Sequence, residues 1–191
     1  TAPIETVIPT QSRALLGAQL SLYQVHSATP ESGVLDDERV LEALARLRAG
    51  GTRIGLTASG PRQAETLQRA LEVRAGGEPV FDCVQATWNL LETSVEPLLA
   101  QAHAQGVGVV VKEALANGRL TGRNREAAFG DKRLRLETEA QRRGVGLDAL
   151  AIAVALSQPW ADVVLSGAVR IEHLRSNLQA FEVQGAADLA R

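Results

Sequence analysis

The sequence predicts an α/β fold in which parallel strands alternate with helices, with about five strands in all. Two observations predict it, and a third feature follows from it. Short apolar runs recur with amphipathic stretches between them, at roughly 25 to 30 residues per unit over the first four strands, which is the spacing of parallel crossover units. The run Val107 to Lys112 is almost wholly apolar, as a strand covered on both faces must be. Right-handed crossovers then bring every strand's exit to one edge, so that His26, Thr57, Gln85, Lys112 and Ser166 gather near a single rim.

Residues 1 to 10 hold two prolines and no clear period, which predicts an irregular lead-in or the remains of a longer element. Gln11 to Leu16 reads as a helix end closed by Gly17. Leu20 to Ser27 is the first strand; alternation puts Leu22, Gln24 and His26 on one face and Tyr23 and Val25 on the other. Asp36 and Asp37 open a helix whose Val40, Leu41, Leu44 and Leu47 recur at helical spacing, and Gly50-Gly51 stops it. Arg53 to Thr57 is the second strand. Ser59-Gly60-Pro61 reads as a cap with proline in the first turn of the next helix, which carries Ala64, Leu67, Ala70 and Leu71 on one face.

Val80 to Trp88 is the third strand, with Gln85 and Thr87 on one face and Val84 and Ala86 on the other. Ser94, with Pro97 just inside, starts a helix that Gly106 ends, and Val107 to Lys112 is the fourth strand. A polar loop around Thr121 to Gly130 precedes a charged helix from about Lys132 to Arg143 and an apolar one from Leu147 to Ser157. Val163 to Gly167 is the fifth strand, and Ile171 to Ala180 the last helix.

A chain of 191 residues suits one domain, residues 1–191, with a sizeable core. A net charge of −2, from 20 basic and 22 acidic residues, offers no electrostatic footprint for a nucleic acid or an anionic membrane. No run approaches the ~18 to 20 apolar residues of a membrane span, and no basic-then-apolar leader opens the chain, so a cytoplasmic protein is expected. The one cysteine, Cys83, lies in an apolar run and reads as a buried thiol in a reducing compartment. Methionine is absent even at position 1, so part of the gene product is expected to lie outside this sequence.

On its residues alone His26 has two readings: a group placed for chemistry at a strand exit, or a core histidine bonded to a backbone carbonyl. His103 sits in a last helical turn, where a cation offsets the dipole. The three histidines lie far apart and no cysteine joins them at ligand spacing, so no metal site is expected. Trp88 reads equally as a pocket wall and as core, Trp160 as packing, and Lys132-Arg133-Leu134-Arg135 as a solvated helix face.

Five motifs carry a resemblance. Leu22-Tyr23-Gln24-Val25-His26, Ile54-Gly55-Leu56-Thr57, Val84-Gln85-Ala86-Thr87-Trp88-Asn89-Leu90-Leu91, Leu115-Ala116-Asn117-Gly118-Arg119-Leu120-Thr121-Gly122, and Ser166-Gly167-Ala168 through Leu174 to Asn177 follow one another in the order and spacing of the aldo-keto reductases. From Gln11 onward the chain resembles that family throughout. The resemblance implies a parallel (β/α) barrel of TIM type, here the C-terminal part with about five strands, and an NADPH-dependent reduction of aldehydes or ketones to alcohols. It implies that His26 orients the substrate carbonyl and that Gln85 holds the nicotinamide carboxamide, with Thr57 beside it. Leu115 and Asn117 resemble the segment over the pyrophosphate. Gly167, Arg170 and Asn177 resemble the adenosine and 2′-phosphate site, with Arg170 on the phosphate, Asn177 on adenine and His173 either near the phosphate or in solvent.

The chain also departs from the family pattern. Lys112 stands where an aromatic ring usually stacks on the nicotinamide, Thr57 and Ala58 where a serine and an asparagine usually bind the carboxamide, and Gly167 where a lysine often meets the 2′-phosphate. The family's aspartate, proton-donating tyrosine and lysine come from strands before the one ending in His26. The only tyrosine, Tyr23, shares that strand and faces away from His26. Five strands cannot close such a barrel. The chain is therefore expected to be a fragment lacking its upstream strands, to receive them from a partner chain, or to be an inactive nucleotide- or partner-binding relative; alone, it is expected not to reduce carbonyls. An isomerase or lyase barrel acting on a phosphorylated substrate is a third class that Ser166-Gly167-Ala168 before a helix would suit.

Overall fold

Each apolar run of the chain becomes a strand or a helix stripe in the computed structural model, which describes residue 11, residues 14–126 and residues 129–189. In chain order the elements are β1 (Leu22–Ala28), α1 (Glu38–Ala49), β2 (Arg53–Ala58), α2 (Gln63–Glu72), β3 (Arg74–Ala75), β4 (Glu78–Pro79), β5 (Cys83–Thr87), α3 (Glu96–Ala104), β6 (Gly108–Lys112), α4 (Gly130–Arg142), α5 (Leu147–Leu156), β7 (Val163–Val164) and α6 (Ile171–Leu178). The expected parallel α/β sheet of five strands is present, in the order β1-β2-β5-β6-β7, neighbour beside neighbour along the chain, and it does not close into a barrel. The expected lead-in over residues 1 to 10 lies outside the described residues. No helix among the described residues is long and apolar enough to cross a membrane.

Contacts within the chain divide it into two compact units, Thr1–Ala86 with Gln101–Val109, and Thr87–Ala100 with Val110–Arg191. In the first, β2 is the buried strand. Ile54, Leu56 and Ala58 have no exposed surface, and their neighbours in β5, Val84 and Ala86, have none either. The parallel register pairs Gln24 with Gly55 and Gly55 with Cys83, then Thr57 with Gln85. These residues share the opposite face, the polar one. Helix α1 buries Leu41, Leu44 and Leu47 and is capped by Asp37, whose side chain accepts from the Arg39 N–H; Asp36, the other expected cap, instead pairs with Arg69 of α2 at 2.8 Å.

The structure differs from the expected elements at three places here. Alternation in β1 stops before His26: the register slips between Val25 and Ala28, and Ser27 takes a left-handed φ of 53°. Helix α2 begins at Gln63 rather than at Pro61, because Gly60 at φ 76° turns the chain first. The hairpin β3–β4 was not expected. Gly76 and Gly77 both have positive φ, as a tight two-residue hairpin turn requires, and Gly-Gly between Ala75 and Glu78 was the signal for it.

Asp82 ties this unit together where β5 is about to begin. Its carboxylate accepts from the Ile54 N–H at 2.9 Å and from the Arg48 guanidinium at 2.9 Å, while its own N–H donates to the Ile54 carbonyl. Burial alone would raise its pKa, but the bonds from Arg48 and Ile54 outweigh that and hold it below the usual carboxylate range. A lowered folded pKa means that its contribution is present above the unfolded value and is lost as pH falls through the folded one. Replacing Asp82 by alanine is expected to cost about 1–3 kcal/mol at pH 7, because it strands a backbone N–H and a guanidinium. Urea midpoints taken from pH 7 down to pH 3 should fall less steeply in the variant than in the parent.

In the second unit β6 pairs with β7 through Val110↔Val163 and Val111↔Val164. Strand β7 is shorter than expected: after Leu165 donates to the Val111 carbonyl, Gly167 turns the chain at φ 62°. Helix α5 is buried along almost its whole length, from Leu147 to Ala155. Ala116, Leu120, Phe129 and Ala151 form a cluster onto which Leu90, Leu91, Leu115 and Leu136 pack. Helices α3 and α4 each begin two residues from the expected start, and α6 passes at Gln179 into a 3-10 turn.

Candidate functional site

In the first unit the polar face of the sheet ends, at the exits of β2 and β5, in Thr57 and Gln85. Thr57 is buried, 6% exposed, at the end of β2, and stands beside the half-buried Gln85 in the parallel register. His26 is exposed at the exit of β1, and its Nδ1 lies 3.0 Å from Ser27 Oγ. It is thus not a core histidine bonded to a carbonyl. Below this level the Gln24 side chain lies across Gly55: a Cβ built there would come within 2.8 Å of Gln24 Cγ. Gln24 Oε1 is buried with no partner among the described residues. The thiol of Cys83, in no disulfide, is buried in the same row. A hollow of about 480 Å³ lined by Arg48, Arg53, Glu78 and Asp82 lies at the strand entries, the other end from these groups.

Tyr23 pairs with Ile54, on the opposite face from Gln24 and Gly55, and burial raises the pKa of its phenol. Its orientation agrees with alternation.

In the second unit Lys112 is half-buried at the end of β6, and the chain after it is strained. Glu113, Ala116 and Asn117 have φ of 56°, 48° and 54°, a region that costs a residue with a Cβ about 1–2 kcal/mol each. Buried Asn89 helps to hold the turn: its Nδ2 donates to the Glu113 carbonyl at 2.9 Å, and its Oδ1 accepts from the Leu91 N–H. The sequence reading missed Asn89, although an amide beside Trp88 at a strand exit was a visible signal. Leu115 is half-buried against the Leu120 cluster, and Asn117 is exposed, with Nδ2 3.3 Å from Glu113 Oε2.

Gly167, Arg170 and Asn177 come together around one turn. Gly167 is exposed, with open space where a side chain would start. Arg170 is the exposed N-cap of α6, and its side chain makes no capping hydrogen bond to the first N–H groups of that helix. Asn177 is 4% exposed; its Nδ2 donates to the Ser166 carbonyl at 3.0 Å, and its Oδ1 is buried with no partner among the described residues. An unpartnered amide oxygen suits an exocyclic amino donor, and a helix N-terminus beside an arginine suits a phosphate. The turn thus sets one buried acceptor, unpartnered among the described residues, and one exposed guanidinium beside a helix N-terminus.

Trp88 is a correction. It has no exposed surface, its Nε1 donates to Glu96 Oε2, and its ring meets Trp160 edge to face at 5.4 Å and 78°. It fills core space in the second unit and does not line a substrate pocket. Among the described residues no group of three or more His, Cys, Asp or Glu stands together to hold a metal ion.

The sequence matches the model of the aldo/keto reductase family over residues 3–188. No curated protein matches it. Among solved structures, the apo form of an aldo-keto reductase from Bacillus halodurans aligns over 98% of this chain and 66% of its own, with a TM-score of 0.74 at 20% identity. The holo form of that protein gives 0.71 at 21% identity, over 98% and 64%. A thermostable aldo-keto reductase in complex with the inhibitor epalrestat gives 0.62 at 24%, over 89% and 57%. At these identities the likeness carries the fold, and the chain spans less than two thirds of each.

Proposed function

The chain belongs to the aldo/keto reductase family, and from that premise we propose that it is the cofactor-binding, C-terminal part of an oxidoreductase that uses NADP(H) to reduce aldehyde or ketone carbonyls to alcohols. The reading is carried by the parallel register that sets Thr57 beside Gln85 at the strand exits. In this reading the Gln85 amide, with the Thr57 hydroxyl next to it, holds the nicotinamide carboxamide. Asn117 and the strained backbone from Glu113 let the main chain approach the pyrophosphate, and Arg170 and Asn177 take the adenosine phosphate end. By its place in the sequence Lys112 resembles the family's ring-stacking position, and in this reading a cation stands there rather than a π face. When bound, the cofactor supplies the hydride. His26 orients the carbonyl by donating a hydrogen bond to its oxygen.

The proton for that oxygen comes, in this proposal, from a group outside these 191 residues, since Tyr23 faces the other side of the sheet with its pKa raised by burial. That observation favours a second reading for the chain by itself, binding without turnover. A cytoplasmic location goes with both, because a buried Cys83 in no disulfide suits a reducing compartment.

Titration of NADPH into the 191-residue protein, followed by nicotinamide fluorescence, is expected to show saturable binding. The Gln85→Ala variant should bind about tenfold more weakly, the worth of one or two buried hydrogen bonds. No aldehyde reduction is expected from the chain alone. Absence of NADPH binding up to millimolar cofactor would overturn the proposal.

A further inference from the structure

We infer that Ser27 is a positioning residue: its hydroxyl donates to Nδ1 of His26 and so holds the neutral imidazole in the form that carries its proton on Nε2. The inference rests on the reading of His26 as the group that meets the carbonyl, and it concerns what that imidazole offers. A neutral ring has one N–H and one lone pair. With the proton on Nε2 it offers a donor to a carbonyl oxygen; with the proton on Nδ1 it offers that oxygen the lone pair of Nε2 instead, which repels it.

The backbone is built for this contact. In a regular strand neighbouring side chains point to opposite faces, so residues 26 and 27 do not meet. Here β1 spends three steps, Val25 to Ala28, against two of β2, Leu56 to Ala58, and the extra residue forms a bulge. Ser27 enters the left-handed region at φ 53°, a conformation uncommon for a residue with a Cβ. The result is that Ser27 Oγ turns back to 3.0 Å from His26 Nδ1. Strain kept at a strand exit, beside the one histidine placed for chemistry, is the pattern of a functional rather than a packing demand. A backbone carbonyl at that position would accept only, and would force the proton onto Nδ1. A hydroxyl can donate or accept, so unlike a carbonyl it leaves intact the preference that a free histidine already has for protonation at Nε2, and by donating to Nδ1 it strengthens that preference.

The test reads the ring directly. In the ¹⁵N-labelled protein, free of cofactor and substrate, two-bond ¹H–¹⁵N spectra at about pH 8.5, well above the ordinary histidine range, should give His26 a protonated Nε2 and an unprotonated Nδ1. The His26→Asn variant assigns the signals among three histidines. Ser27→Ala and Ser27→Gly should each shift the tautomer ratio about fivefold toward Nδ1–H, the worth of one exposed hydrogen bond. Glycine also relieves the left-handed backbone, so a change common to both variants follows the hydroxyl and not the strain. A parent protein with the proton on Nδ1, or shifts unmoved in both variants, would overturn the inference. Failure to bind NADPH with the tautomer held would sink the reductase reading alone; binding with Nδ1 protonated would sink this one alone.

Discussion

Replacing Trp88 by alanine is expected to lower the free energy of unfolding by about 3–5 kcal/mol, the range for deleting a large aromatic side chain from a closed core. The ring has no exposed surface, so all of its apolar area returns to water on unfolding, and the alanine would leave a void against Trp160. The edge-to-face contact at 5.4 Å adds a component that area does not count. The Nε1 bond to Glu96 adds a third, since Glu96 lies in the first turn of α3 and its carboxylate also faces the positive end of that helix. Trp88→Phe separates these parts: it keeps most of the ring and drops the N–H, and should cost about 1–2 kcal/mol. Urea unfolding of the parent and both variants measures the series, with Trp160 as the fluorescent reporter in each variant. NADPH affinity should be the same in Trp88→Phe as in the parent. An alanine variant within about 1 kcal/mol of the parent would return Trp88 to the surface of a pocket, because only a ring already facing solvent is so cheaply removed.

Trp88 also shows how far the sequence could be read. A tryptophan between Thr87 and Asn89 sits at the exit of a strand, where pocket walls and core residues use the same side chain, and nothing local separates them. Partners distant in sequence do: Trp160 and Glu96. Strands β2, β5 and β6 were legible because Ile54 and Leu56, Val84 and Ala86, and Val109 to Val111 stand in short apolar-rich runs, and α1 because Leu41, Leu44 and Leu47 repeat at the helical period. The covering of β6 on both faces was not borne out evenly: Val109 and Val111 are buried, while Gly108, Val110 and Lys112 are half-buried. Hairpin β3–β4 was not, since two-residue strands have no period to detect, and only Gly76-Gly77 marked it. The contact of His26 with Ser27 escaped for another reason. Alternation along a strand assumes a regular ladder, and a bulge is where that assumption fails. Within the first unit the exits of β1, β2 and β5 were legible, but Thr57 and Gln85 became neighbours only through register; in the second, Asn177 acquired its hold on Ser166 only through tertiary folding.

That hold makes Asn177 the residue whose loss should separate stability from cofactor binding most widely. In Asn177→Leu, the Ser166 carbonyl loses its donor, while the buried Oδ1 that now lacks a partner disappears with the amide. One buried polar group is orphaned and another removed, so the net change in unfolding free energy is expected to stay within about 1 kcal/mol. Binding has no such offset. The turn from Ser166 to Arg170 loses the tether that keeps it against α6, and on the proposed reading the adenosine end loses its amide acceptor too, so NADPH affinity should fall at least about thirtyfold, two lost interactions acting together. Asn177→Asp provides the contrast. A carboxylate cannot donate to the Ser166 carbonyl, so two acceptors would face each other in a site 4% exposed, and here stability itself should fall by about 1–3 kcal/mol. Urea midpoints and NADPH titrations on the same preparations decide between the outcomes. If Asn177→Leu loses stability and affinity in equal measure, Asn177 is a structural tether and the adenosine end is held elsewhere; if it loses neither, the turn before α6 is not part of a nucleotide site, and the roles of Gly167 and Arg170 fall with it.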